Sequence, residues 1–380
     1  MSTSTTELLD VELPVELLAL IAERSASSDE SGHQDPDVTA GLAATRINRL
    51  LLPTELGGLS AAPRRAVELV EQIASVDGSV GWTAAIGFGS NHFAGYVPAD
   101  GAGEMFDDPD QGNAAMFAPM GRLVEAADGA LRLSGRWPFA SNCEQAAVVA
   151  LGTFYQDEPA PRLAMVPTSE LQILPTWDVT GLRATASNDV TVADLQIDLR
   201  HTCSFADRPW AEGPLWRLPL FVVLAPPLAA VMLGIARGAL DDLNQQTVSR
   251  RLQMRGTLLD DEVGMADIAD ADARLRAARA GLLATLDECW EGALAGERTD
   301  RPLQARAFLA SQHCADVAVE VCATAHRLAG GAGAYRGNRQ LRALRDVETA
   351  RQHAMFNHGF RPALARIIAG TGEARPPFVI

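Results

Sequence analysis

Leu133-Ser134-Gly135-Arg136-Trp137-Pro138-Phe139-Ala140-Ser141 is the stretch whose reading decides the fold. A β-prone run, Leu131–Leu133, leads into it, and the turn Trp137-Pro138-Phe139 leads out to a small hydroxyl at Ser141. Before this stretch the apolar residues keep a helical period. After it they come in short runs of strand length between Gly, Pro and Asp: Ala147–Phe154, Leu163–Val166, Leu171–Leu174 and Val190–Ile197. The middle of the chain therefore reads as a small antiparallel sheet or barrel.

Working toward the N-terminus, Leu17, Leu18, Ile21 and Ala22 form one apolar stripe, and Leu42, Ile47, Leu50 and Leu51 a second that ends at Pro53 and Gly57-Gly58. Ala66, Leu69, Val70 and Ile73 form a third, and Val80–Tyr96 a further apolar helix after the break Asp77-Gly78-Ser79. The polar stretch Ser25–Asp37 reads as a loop. Toward the C-terminus the pattern is helical again over Leu228–Arg251, Asp261–Leu294, Leu303–Leu328 and Arg339–Gly359, as in an antiparallel four-helix bundle. The expected organisation is α+β and mostly α: a helical domain (1–112), a central β domain (113–210) and a four-helix bundle (211–380).

Composition excludes several chemistries. All 32 basic residues are Arg, so there is no Schiff-base or pyridoxal-phosphate lysine and no phosphate-binding GxxxxGK[ST] loop. A net charge of −16 without a basic run argues against nucleic-acid binding. The five cysteines form no CxxC and the seven histidines no HExxH, so neither a disulfide framework nor a metal site is expected. The polar, acidic start, Met1–Pro14, has no apolar segment of a signal peptide, which points to the cytoplasm. Leu218–Ala236 is uncharged and nearly long enough to span a membrane. Pro226-Pro227 divides it, and it reads as a buried strand or loop followed by a core helix; Gly234 and Gly238 mark close helix packing.

Five segments in order carry a family resemblance: Leu52–Gly58; Ser79-Val80-Gly81-Trp82; Leu133–Ser141; Trp177 with Gly181–Val190; and Gly330–Tyr335 with Arg345-Asp346 and Ala350–His353. Together they resemble the acyl-CoA dehydrogenase superfamily, and within it the two-component flavin-dependent monooxygenases that share the fold. The resemblance implies a reduced flavin cofactor, FMN or FAD, delivered by a separate flavin reductase. Oxygen would add at flavin C4a, and the resulting hydroperoxide would hydroxylate an aromatic carbon or amine nitrogen of a small organic substrate. It also implies a homotetramer with flavin sites completed across subunits.

Site roles follow by resemblance, each beside a plainer reading. Trp177 corresponds to a tryptophan against the flavin ring; otherwise it is sheet-edge packing. Ser141 corresponds to a serine at the reactive edge of the flavin; otherwise it caps its own turn. Arg251, in Arg251-Leu252-Gln253-Met254, resembles a segment that reaches the flavin phosphates of a neighbouring subunit, or belongs to a solvated patch with Arg250 and Arg255. Gly330 and Gly331 form a turn that lets backbone approach the cofactor, or a plain helix end. His353 is the first candidate for the base that prepares the substrate, His92 the second and His358 the third. The alternative activity is an FAD-dependent acyl-CoA dehydrogenase, which needs a carboxylate base. Ala350–Phe356 contains none, which leaves Glu262 or Glu288. A non-catalytic relative that keeps only the scaffold is the third reading.

Overall fold

The computed structural model describes residues 11–371, apart from 157, 159, 205, 247–250 and 253–255. Its first layer is helical: α1 Val15–Ser31, α2 Pro36–Ala44, α3 Pro63–Val76, α4 Gly78–Asn91 and α5 Ala99–Met105. Asp77 starts α4 by accepting the Val80 N–H. Thirteen of the fourteen α4 residues are buried, which an apolar, small-residue sequence allows on every face. The helical pattern of α1 runs through the stretch read as a loop and stops only at Gly32, whose φ of 79° ends it in the left-handed region.

The sheet has seven strands: β1 Ala114–Glu125, β2 Leu131–Trp137, β3 Val148–Tyr155, β4 Arg162–Pro167, β5 Gln172–Leu174, β6 Asp189–Ile197 and β7 Thr202–Ser204. Their order is β5-β6-β2-β1-β3-β4-β7. All pairings are antiparallel except β1 with β3, because residues 138–147 carry the chain from β2 past β1 instead of turning it tightly back. Trp137 centres the sheet's core, fully buried, with its indole N–H donated to the Gly152 carbonyl at 2.6 Å.

Four long helices follow among the described residues: α6 Leu220–Gln246, α7 Glu262–Leu294, α8 Arg301–Leu328 and α9 Arg339–Arg351, with the short α10 Arg361–Ile368. Two short strands, β8 Arg251–Leu252 and β9 Gly256–Thr257, lie between α6 and α7. Pro226 and Pro227 sit inside α6 instead of preceding it. Dense burial of this helix outweighs the two missing amide donors. A Cβ on Gly234 or Gly238 would lie 2.5 or 2.1 Å from backbone oxygens of α3, so these glycines set the close α3–α6 approach. Among the described residues one helix, Leu220–Gln246, is long and apolar enough to cross a membrane, and most of its apolar stretch is buried inside the protein.

Candidate active site

Two tight turns meet where the sheet joins the helices. Phe139 (φ 63°) and Asn142 (φ 66°) flank Ser141, while Leu182 (φ 51°) and Ala186 (φ 41°) flank Thr185 and adjoin Ser187. Left-handed backbone at such residues costs on the order of 1 kcal/mol each and persists only when neighbours enforce it. Here the Ala140 N–H donates to the Asn188 carbonyl at 3.0 Å, and the Asn142 N–H to the Thr185 carbonyl at 3.3 Å.

A line of hydroxyls crosses the junction. The Trp82 indole N–H donates to Ser141 Oγ at 3.1 Å. Ser141 Oγ lies 2.6 Å from Ser187 Oγ, which lies 2.7 Å from Thr185 Oγ1. Thr185 donates to the Leu182 carbonyl at 2.8 Å. On the other side of Trp82 stands His353, ring centroids 5.5 Å apart and edge-on. His353 lies past the end of α9, because the helix stops at Arg351 and short turns replace the expected run to Gly359. Burial alone pushes its pKa down to about 4, so the ring is neutral at pH 7. Its Nδ1 accepts the Met355 N–H at 3.4 Å, a long contact that places the proton on Nε2 without locking it there.

Beside Ser141 stands an aromatic corner. Phe139 is 63% exposed, and its ring meets the partly buried Trp177 edge-on at 6.2 Å. The Trp177 indole N–H donates to the Leu182 carbonyl at 3.1 Å. Asn188 fixes this corner: its Oδ1 accepts the Thr176 and Trp177 N–H groups at 3.0 and 3.1 Å, and its Nδ2 donates to Glu144 at 2.9 Å. The Leu182 N–H is held in turn by Asp346 of α9 at 2.6 Å. Burial pushes the Asp346 pKa up to about 7, against the pull of Arg342 and of that N–H.

The expected site residues do not all converge. His353, Ser141 and Trp177 come together through Trp82 and Leu182. His92 does not join them. It lies ten residues beyond Trp82, about 15 Å along a helical path. It stacks flat on Trp216 at 4.6 Å and meets Tyr96 edge-on. Neither of its ring nitrogens has a hydrogen-bond partner of good geometry, and burial pushes its pKa down to about 4, with only weak opposition from the Leu51 backbone. His358 is exposed and bound to Asp316 and Arg351. Gly330 and Gly331 lie exposed on the surface in a short 3₁₀ turn, Gly330 with φ 53°. Arg251 lies in β8, and its side chain is outside the described residues. Glu262 and Glu288 are exposed on α7, so neither offers this chain a buried carboxylate base beside Ser141. Phe139, Trp82, Ser187 and Asn188 were within the quoted motifs but not singled out. A large aromatic in a turn before the serine was the one available signal, and it pointed only to Phe139.

Residues 227–358 match the family described as acyl-CoA dehydrogenase, C-terminal domain. The chain is 32% identical over 339 residues to the indole-3-acetate monooxygenase of Pseudomonas putida, covering 88% of this chain and 86% of that protein. The chain belongs to the two-component flavin-dependent monooxygenases of the acyl-CoA dehydrogenase fold. This monooxygenase is also 27% identical over 371 residues to the flavin-dependent monooxygenase oxygenase subunit HsaA of Rhodococcus jostii, covering 94% and 96% of the two chains. Its fold matches the crystal structure of 3-HSA hydroxylase from Rhodococcus sp. RHA1, with a TM-score of 0.88, 24% identity and coverage of 95% and 97%. It also matches XiaF from Streptomyces sp. in complex with FADH2 and glycerol, with a TM-score of 0.88, 21% identity and coverage of 98% and 96%. The monooxygenase is thus a flavin-dependent oxygenase component working with reduced flavin, and the sequence expectation of fold, cofactor and reaction class holds.

Proposed function

We infer that this oxygenase component hydroxylates a small, electron-rich aromatic ring, and that a separate reductase supplies its reduced FMN or FAD in the cytoplasm. The observation that carries this reading is the exposed Phe139–Trp177 corner beside Ser141, a hydroxyl with a lone pair to spare. A flavin is a flat apolar ring with a polar edge and needs that combination. When bound, reduced flavin supplies the electrons that activate oxygen. In this reading Phe139 and Trp177 wall the ring and Ser141 meets its polar edge. Gly330, Gly331 and Arg251 approach the phosphate tail from a second subunit of a homotetramer. His353, neutral and behind Trp82, takes the proton of the substrate, and the buried surroundings keep water from the reacting atoms. His92 is the second candidate for the base, since neither of its buried nitrogens has a hydrogen-bond partner of good geometry.

The test mixes the purified chain with a flavin reductase, NADH, FMN or FAD, and indole or phenol substrates, and follows hydroxylated product against hydrogen peroxide. The chain should be colourless as isolated and give product only with the reductase present. A yellow protein whose bound FAD is bleached by an acyl-CoA would overturn the reading.

A further inference from the structure

The hydroxyl line from Trp82 to Leu182 has one direction in which every proton finds an acceptor. Its first member, the Trp82 indole, is a donor with no acceptor. Its last, the Leu182 carbonyl, is an acceptor with no donor. Between them stand three hydroxyls, each with one proton. With Thr185 giving its proton to Leu182, Ser187 gives its own to Thr185 and Ser141 its own to Ser187; the reverse order forms one hydrogen bond fewer and leaves the Ser141 proton without a partner. Ser187 and Thr185 are 3% and 1% exposed, so water does not offer either hydroxyl an alternative partner. In the fully bonded direction Ser141 has no proton to offer and one lone pair unused.

We propose that Ser187 and Thr185 are positioning residues that bias Ser141 toward accepting a hydrogen bond, so that the site distinguishes reduced from oxidised flavin by the proton on ring nitrogen N5. Reduced flavin carries an N5–H, a donor that Ser141 can accept. Oxidised flavin carries a bare N5 lone pair, which would face the Ser141 lone pair. An ordinary serine would rotate its hydroxyl and serve either form equally; this one is held by its neighbours. The distinction suits a protein that must take up reduced flavin and release the oxidised form. The inference rests on the placement of Ser141 at the flavin edge proposed above.

Binding of FMN and FAD is measured in both redox states: in air for the oxidised form, and after dithionite reduction under argon for the reduced form. Wild type should prefer reduced flavin. Ser187→Ala frees the Ser141 proton, and Thr185→Val leaves the Ser187 proton free to turn back toward Ser141. Each should narrow the ratio of oxidised to reduced dissociation constants by about 2- to 10-fold, the value of one neutral hydrogen bond. Ser187→Thr keeps the line and should restore the wild-type ratio. If both variants weaken the two redox forms equally, the residues only support the fold and the inference fails while the flavin reading stands. If wild type binds neither form, the flavin reading fails and takes the inference with it.

Discussion

His353, partly buried, and His92, fully buried, are two neutral histidines with different consequences. If His353 is the base, His353→Ala should cut hydroxylation by on the order of 10²–10⁴-fold. Flavin affinity should hold, and hydrogen peroxide should rise as product falls. Because its pKa is pushed down to about 4, wild-type hydroxylation should show no fall near pH 6.5 from this group and should decline only as pH drops toward 4. Product and peroxide assays from pH 4 to 8 check both points. The same uncoupling from His92→Ala, with His353→Ala silent, would reverse the two roles. His92 has a second effect. Its folded pKa of about 4 lies below that of the unfolded chain, so the unfolded state gains the proton first as pH falls. Stability from this group is complete above about pH 6.5 and is lost as pH falls through 4, by about 3 kcal/mol. His92→Phe, which can keep a ring stacked on Trp216, should flatten that acid limb in urea unfolding at pH 7 and pH 5.

At the scale of elements, the site depends on how two turns and one helix end are pinned. Asn188→Ala removes the acceptor that holds the Thr176 and Trp177 backbone, so flavin affinity should fall about tenfold or more while the fold survives, as seen by titration and circular dichroism. Asn188→Asp keeps that acceptor but faces Glu144 with a like charge, so it should recover only part of the loss. The same scale shows what was legible in the residues. The long helices were visible because their apolar stripes repeat over many turns. Strand β1 was not, since Pro119 and Gly121 interrupt it, and its register against β3 breaks between Met116 and Gly121. The inward Pro226-Pro227 pair misplaced the start of α6, because local propensity cannot register the burial that overrides it. Ser141 and Trp177 can be named as candidates from their motifs alone. Trp82 as the bridge to His353 was not, because residues 82, 141 and 353 meet only after the sheet, α4 and the end of α9 have packed together.

Across the whole molecule, large apolar side chains remain on the bundle side of the chain: Tyr335 is 74% exposed, Val263 71% and Leu294 59%. Tyr335 follows the exposed Gly330-Gly331 turn, where the proposed second subunit would approach. Sedimentation should therefore give four times the 40.4 kDa chain mass. A stable monomer that binds flavin with full affinity would remove the shared-site arrangement. Charged substitutions at Tyr335 and Val263 should split the assembly and weaken flavin binding together.

The Leu182 backbone joins these scales. Its carbonyl takes both Thr185 and the Trp177 indole, and its N–H is held by Asp346, 164 residues later in the chain. A transplanted β domain would carry Phe139, Ser141, Trp177, Thr185 and Ser187 and still lack the clasp that keeps this one residue in its left-handed pose. The aromatic corner and the hydroxyl line would then loosen at once. Such a graft should behave as a ring-binding surface without redox preference, and supplying α9 should matter more to it than improving any residue of the sheet.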